Sequence, residues 1–151
     1  MELQGRHTVS TSPAKLWVML MDTDTLSKII PGVSQLEKTG ENSYKSILEI
    51  KAGPVSTSFT GAAQMEDIVD QKKFTLKMQQ SNKMGNANST MIVELIPVNE
   101  GETDVVFAGE LKITGLLASM GQKILSGVAN MLTKQFFANL DHQLAMQQSA
   151  S

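Results

Sequence analysis

The chain has 151 residues, 41% hydrophobic and 19% charged: one domain's worth, apolar enough for a real core and too apolar for disorder. The absence of Cys excludes a disulfide framework, a thiolate zinc site, a cysteine nucleophile and an iron–sulfur cluster. Thirteen basic against fifteen acidic residues, with Arg6 the only arginine, argue against a nucleic-acid partner.

Glu2 to Thr11 alternates as a half-buried strand, with Leu3, His7 and Val9 on its inner side. Ser12-Pro13 starts a short helix, whose Ala14, Trp17, Val18 and Met21 recur at helical spacing. Asp22 and Asp24 punctuate it, and Asp24 is expected to cap a second short helix that stops before Pro31-Gly32. Strands follow: Ser34 to Thr39, then Ser43 to Lys51 with Tyr44, Leu48 and Ile50 inward. After a Gly53-Pro54 turn, Val55 to Val69 alternates with Val55, Phe59, Ala63 and Met65 inward and a bend or bulge expected at Gly61. Phe74, Leu76 and Met78 mark the next strand; Met91, Val93 and Leu95 another; Val105, Phe107, Leu111 and Ile113 the last.

From Leu116 to about Met146 the period becomes 3.6, with Leu117, Met120, Ile124, Val128, Met131 and Gln135 near one stripe that Leu125, Leu132, Phe136, Leu140 and Leu144 widen. This predicts one continuous helix, roughly 45 Å long at ~1.5 Å per residue. Residues 1–146 form a single domain on this reading, and 147–151 a flexible tail. The fold class is α+β: a curved antiparallel sheet of about seven strands wrapped on the long C-terminal helix, with two short helices after the first strand. The space between sheet and helix is the natural ligand cavity.

Several residues in this order carry a resemblance. They are Gly5, Ser12-Pro13-Ala14-Lys15-Leu16-Trp17, Asp22 to Leu26 leading to Ile30-Pro31-Gly32, and Gly53-Pro54-Val55 with Phe59-Thr60-Gly61. Gly121-Gln122 with Ile124, and Phe136-Phe137, complete the set. Across essentially the whole chain they resemble the carbon monoxide dehydrogenase G-subunit family of the START-like, or helix-grip, SRPBCC superfamily. The resemblance implies a seven-stranded helix-grip fold with an apolar cavity. It also implies an accessory role beside a molybdenum-containing carbon monoxide dehydrogenase or related hydroxylase, in membrane association or quinone handling. Some similar proteins add a linker and a hydrophobic C-terminal anchor, which this sequence lacks, so stable membrane attachment is not expected.

No catalytic or metal residues are predicted. There is no G-x-S-x-G, no Gly-rich phosphate loop, and His7 and His142 lie far apart in the pattern. Asp22 and Asp24 read as helix caps, and Glu66, Asp67 and Asp70 as a solvated turn. The candidate ligand cavity is lined by His7, Trp17, Tyr44, Phe59, Met65, Phe74 and Met78, then by Met91, Phe107, Leu111, Leu117, Met120, Ile124 and Val128. The inward methionines suit an adaptable apolar wall, and ordinary core filling is the competing account. His7, Tyr44 and Trp17 are the polar handles for a head group; for His7 the alternative is a core histidine satisfied by backbone.

Gly121 and Gly127 lie within the helical pattern, and either gate the cavity or let the helix pack closely. The expected function is non-enzymatic binding of an elongated apolar molecule (a quinone, isoprenoid or lipid), with no other cofactor. The alternatives are a cyclase- or hydrolase-type enzyme on the same fold, or an assembly factor for a larger oxidoreductase. Met1 to Gly5 shows no secretory signal, and Ile113 to Leu132 is too polar for a membrane span. The expected location is therefore cytoplasmic, with at most transient contact at the inner face of the membrane.

Overall fold

Period-two alternation builds a seven-stranded sheet in a computed structural model that describes residues 1–150, with side chains as far as Gln148. The strands are β1 (Glu2–Val9), β2 (Val33–Gly40), β3 (Ser43–Ala52), β4 (Val55–Val69), β5 (Lys73–Asn82), β6 (Gly85–Asn99) and β7 (Glu102–Ile113). Their spatial order is β1-β7-β6-β5-β4-β3-β2, and every pair is antiparallel. Hairpins join β2 through β7 in series, and β1 closes the row against β7. The register Leu48 to Phe59, Met65 to Leu76 and Phe74 to Val93 keeps apolar side chains on one face.

Gly5 pairs with Phe107, and a Cβ there would fall 2.6 Å from the Phe107 ring and 2.9 Å from Phe137. The missing side chain is the slot in which these rings lie. Gly61 does not bend β4 as expected. It pairs normally with Ser46 and Gln80, and a Cβ there would meet the Gln79 carbonyl at 1.8 Å. The irregularity lies further on, between Glu66 and Val69, where Asp67 takes a positive φ of 50°.

Two short helices, α1 (Pro13–Met21) and α2 (Thr23–Ile29), follow β1. Ser12 caps α1, accepting from the Lys15 N–H at 3.3 Å. The buried side of α1 is Leu16, Trp17, Met19 and Leu20, whereas Val18 is 70% exposed and Ala14 is exposed. Leu16 to Met21 is apolar at nearly every position, so the period alone admits two stripes and packing decides between them. Asp22, not Asp24, caps α2; it accepts from the Thr25 N–H at 3.0 Å and its hydroxyl at 2.7 Å. Those bonds hold the Asp22 carboxyl below the usual carboxylate range. Asp24 lies in the first turn and pairs with Lys28 at 3.2 Å.

The C-terminal helix is not continuous. A 3-10 helix (Gly115–Met120) stops at Gly121, whose φ of +92° suits glycine, and α3 (Gln122–Ala150) starts after it. Beyond the break, the widening positions Leu125, Leu132, Phe136, Leu140 and Leu144 turn inward with Ala129, while Ile124 and Met131 of the first stripe lie outside. The helix also continues through Gln147 and Gln148, where the sequence suggests a tail. Gln148 donates to the Ser10 carbonyl at 3.0 Å, a tie of 138 residues' separation that no local pattern reveals. Ser151, the end of that expected tail, lies outside the described residues.

The core has two parts. The main one joins the sheet to α1, α2 and the second half of α3 through Leu16, Leu20, Ile29, Val105 and Leu140. A smaller one gathers Ile50, Ala52, Val55 and Phe59 under Leu117. Among the described residues no helix is long and apolar enough to cross a membrane.

Candidate functional site

Between the two parts of the core lies a cavity of about 240 Å³. The inner faces of β3 to β7, with Leu3 of β1, form its floor, and α3 from Leu125 to Phe136, with Leu117, forms its roof. Of the residues expected to line a cavity, Phe59, Met78, Met91, Phe107, Leu111, Leu117 and Val128 do so. Leu48, Ile50 and Leu76 line it too, as do Leu125, Leu132 and Phe136 from α3. The strand members carry the same alternation as Phe59, and the helix members lie on the widened 3.6-residue stripe, so the sequence marks both groups as inward. Ile30 and Pro31, just past α2, complete one end, and nothing in the local pattern marks them.

The other expected residues are placed elsewhere. His7 projects inward four residues along β1 from Leu3, which does line the cavity; at His7 the inner face meets Phe137 and Asp141 of α3 instead. Its Nε2 lies 2.9 and 2.8 Å from the two carboxylate oxygens of Asp141, and its ring centre lies 5.1 Å from that of Phe137. Trp17, Tyr44, Met65 and Phe74 are all buried in the main core, with Trp17 edge-on to Phe74 at 5.9 Å. The sheet is longer than the cavity, and α1 and α2 contribute to the filled part of its inner face. Met120 packs on the smaller core cluster without lining the cavity. Ile124, at the edge of the stripe it shares with Val128, is 41% exposed.

Polar groups in the lining are few: Gln80, Ser89 and Thr133, with no ionisable side chain among the described lining residues. Gln80 is 3% exposed. Its Nε2 donates to the Ser46 hydroxyl at 2.6 Å and reaches the Ala62 carbonyl at 3.4 Å, while its Oε1 has no protein partner. Shifted titrations lie outside the lining. Thr8 and Arg6 hydrogen-bond the Asp104 carboxylate and hold it below the usual range, and Glu66 at 2.8 Å raises Lys77. His142 is exposed, and no group of three metal-ligating side chains occurs among the described residues.

At Gly121 and Gly127 an added Cβ would meet nothing within 4 Å. Close packing therefore does not account for either glycine. Gly121 serves the break before α3, and Gly127 faces solvent within it.

A family model described as the G subunit of carbon monoxide dehydrogenase (CoxG) matches residues 5–145. No curated protein matches the sequence. Among solved structures, a conserved protein from Geobacillus kaustophilus superposes with a TM-score of 0.90 at 27% identity, covering 97% of this chain and 96% of that one. A START superfamily protein from Mycobacterium smegmatis gives 0.80 at 8% identity, covering 97% and 98%. The Zhui aromatase/cyclase from Streptomyces sp. R1128 gives 0.73 at 10% identity, covering 95% and 92%. At such identities the last two bear on the fold alone, which is START-like: a curved sheet gripping a long C-terminal helix.

Proposed function

The chain belongs to the CoxG family of carbon monoxide dehydrogenase G subunits, and from that premise we propose that it is a non-enzymatic accessory protein holding one slender apolar molecule between sheet and α3. The ligand is a quinone, isoprenoid or lipid chain, and the partner served is a molybdenum-containing carbon monoxide dehydrogenase-like enzyme. The observation that carries the reading is the cavity of about 240 Å³ with its apolar lining. Its volume is under the ~300 Å³ at the low end of small-molecule sites, which favours a chain over a bulky ring system. A chain burying roughly 300 Å² there would gain about 7 kcal/mol before association costs, at ~25 cal/mol per Å². An enzyme on this site would need an acid, base or nucleophile, and the described lining residues offer no ionisable group.

Exchange would proceed by lifting the 3-10 helix and the first turns of α3, with Gly121 and Gly127 as the weak points of the gate. Leu116, 66% exposed, and Met131, 48% exposed, give this end an apolar exterior. The proposed location is cytoplasmic, and this exterior supports transient contact with the inner face of the membrane while loading.

Native mass spectrometry after mild extraction tests the reading. The expected result is one adduct of lipid-like mass, removed by organic extraction and restored by adding it back. Protein that carries no adduct and takes up none of a quinone, an isoprenoid alcohol or a fatty chain would overturn it. Co-purification with the molybdenum enzyme's subunits tests the partner separately.

A further inference from the structure

We infer that the ligand's polar end carries a hydrogen-bond donor, an alcohol or phenol hydroxyl, and that Gln80 Oε1 receives it. The inference rests on the cavity being a ligand site, and adds to it a choice among apolar ligands.

Gln80 lies on β5 between Gly61 of β4 and Ala87 of β6, with its side chain on the cavity face. The orientation of its carboxamide is set by its neighbours. The Ala62 carbonyl can only accept, so the NH₂ must be on that side; a flipped amide would set two acceptors against each other. The Ser46 hydroxyl, itself on a buried residue, takes the stronger bond from the same nitrogen. Nε2 is thereby committed to the protein, and Oε1 is the one buried side-chain polar atom among the described residues without a partner. Buried acceptors nearly always find a donor, because leaving one unpaired forfeits its hydration without return.

This acceptor differs from the other polar groups of the wall. The hydroxyls of Ser89 and Thr133 rotate, and donate or accept as a ligand requires. They cannot tell an alcohol from a ketone or an ether. A fixed carboxamide oxygen can, since it attracts a hydroxyl and repels another oxygen lone pair. Ser89 lies on β6 diagonally across from Gln80, because Ala87 pairs with Gln80 and Ser89 with Met78. The two therefore define a polar spot on an otherwise apolar floor, from which Met78, Met91 and Leu111 continue as the track for a chain.

The test compares 1-dodecanol with its methyl ether, each displacing the apolar fluorophore diphenylhexatriene from the intact protein. The alcohol should displace at a concentration about tenfold lower than the ether. In Gln80→Leu that ratio should fall to within about twofold. Gln80→Met gives the same reading on an unbranched side chain if the leucine variant does not fold. Ser46→Ala, which frees the amide to rotate, should lower the ratio partway. Equal displacement by alcohol and ether in the unaltered protein overturns the inference and leaves the cavity reading standing. A tenfold preference that survives Gln80→Leu or Gln80→Met also overturns it, assigning the hydroxyl to another group. If fluorophore, alcohol and ether all fail to bind, the cavity reading itself falls and takes this inference with it.

Discussion

From Phe136 to Leu144, α3 is pinned to the rest of the protein at every turn. Phe136 and Phe137 pack on Phe107 with ring centres 5.7 and 5.4 Å away, and Leu140 is fully buried. Asn139 donates to the Ile29 carbonyl at 3.1 Å, and Asp141 holds His7. From Gln122 to Lys134 the same helix spans a cavity. Ala129 is its only fully buried apolar residue, Ile124 and Met131 are exposed, and Gly127 adds nothing to either face. One helix thereby serves two purposes. Burial at one end supplies the stability, so the other end can leave room for a ligand without unfolding the domain.

The largest expected effect compares truncations in the two halves. Leu140→Ala removes a side chain with no exposure from a packed site and should cost about 2–5 kcal/mol. Leu132→Ala enlarges space that already exists and should cost roughly 1 kcal/mol or less, since few contacts are lost. Urea denaturation of both variants checks this, and equal losses would break the comparison. Next comes Gly5→Ala, in the slot that seats Phe107 and Phe137 beneath the pinned half. Its methyl should force those rings aside at about 1–3 kcal/mol, read from the same denaturation curves.

Much of this arrangement was legible in the sequence. Alternation gives the inner face of β1 and of β3 to β7, though not of the largely exposed β2, since a period of two leaves no choice once one residue is placed. It could not say how far the cavity extends along that face. Trp17, Tyr44, Met65 and Phe74 face the same way as Phe59 and Met78, but the filled end of the core takes them. Only the docking of α1 and α2 separates the two groups. In the C-terminal segment the period marks a stripe broad enough to include Leu125, Leu132, Phe136, Leu140 and Leu144, which do turn inward, but also Ile124 and Met131 at its edge, which do not. What the period does not show is the break at Gly121, where a positive φ separates the 3-10 helix from α3. Gln80 is not marked by apolar alternation, because it is polar; its position two residues after Met78 is the one signal that places it on the inner face.

Smaller effects, of opposite sign, are expected at the two glycines of the loose half. Gly127 is inside α3 with open space around it, so Gly127→Ala should stabilise by about 1 kcal/mol. Gly121 also has space, but its φ of +92° disfavours any side chain, so Gly121→Ala should destabilise by roughly 1–2 kcal/mol. Thermal melts give the signs. Release of a fluorescent apolar probe sharpens the point: Gly127→Ala should slow it a few-fold if this half opens for exchange. Unchanged release with raised stability would place the exit elsewhere.

The smallest expected effect is a pH dependence confined to the pinned side. Asp104 of β7 accepts from the Thr8 hydroxyl and from Arg6, and these bonds hold β1 under the second half of α3. They lower its pKa in the folded state below the ordinary value of 3.8. Between the two values the unfolded chain binds the proton and the folded one does not. The contribution is therefore complete above the unfolded pKa and is lost as pH falls through the folded one. Asp22 shifts in the same direction at the cap of α2, so acid should weaken both places. The first half of α3, Gln122 to Lys134, carries no carboxylate at all and should not respond. Melts between pH 5 and 2 should show a decline that Asp104→Asn reduces without abolishing, Asp22 supplying the rest. Hydrogen exchange at pH 5 and pH 3, corrected for intrinsic rates, should show protection falling along β1 and its partner β7. An equal fall in the first half of α3 would mean that the two halves open together, and the division of labour within this helix would not hold.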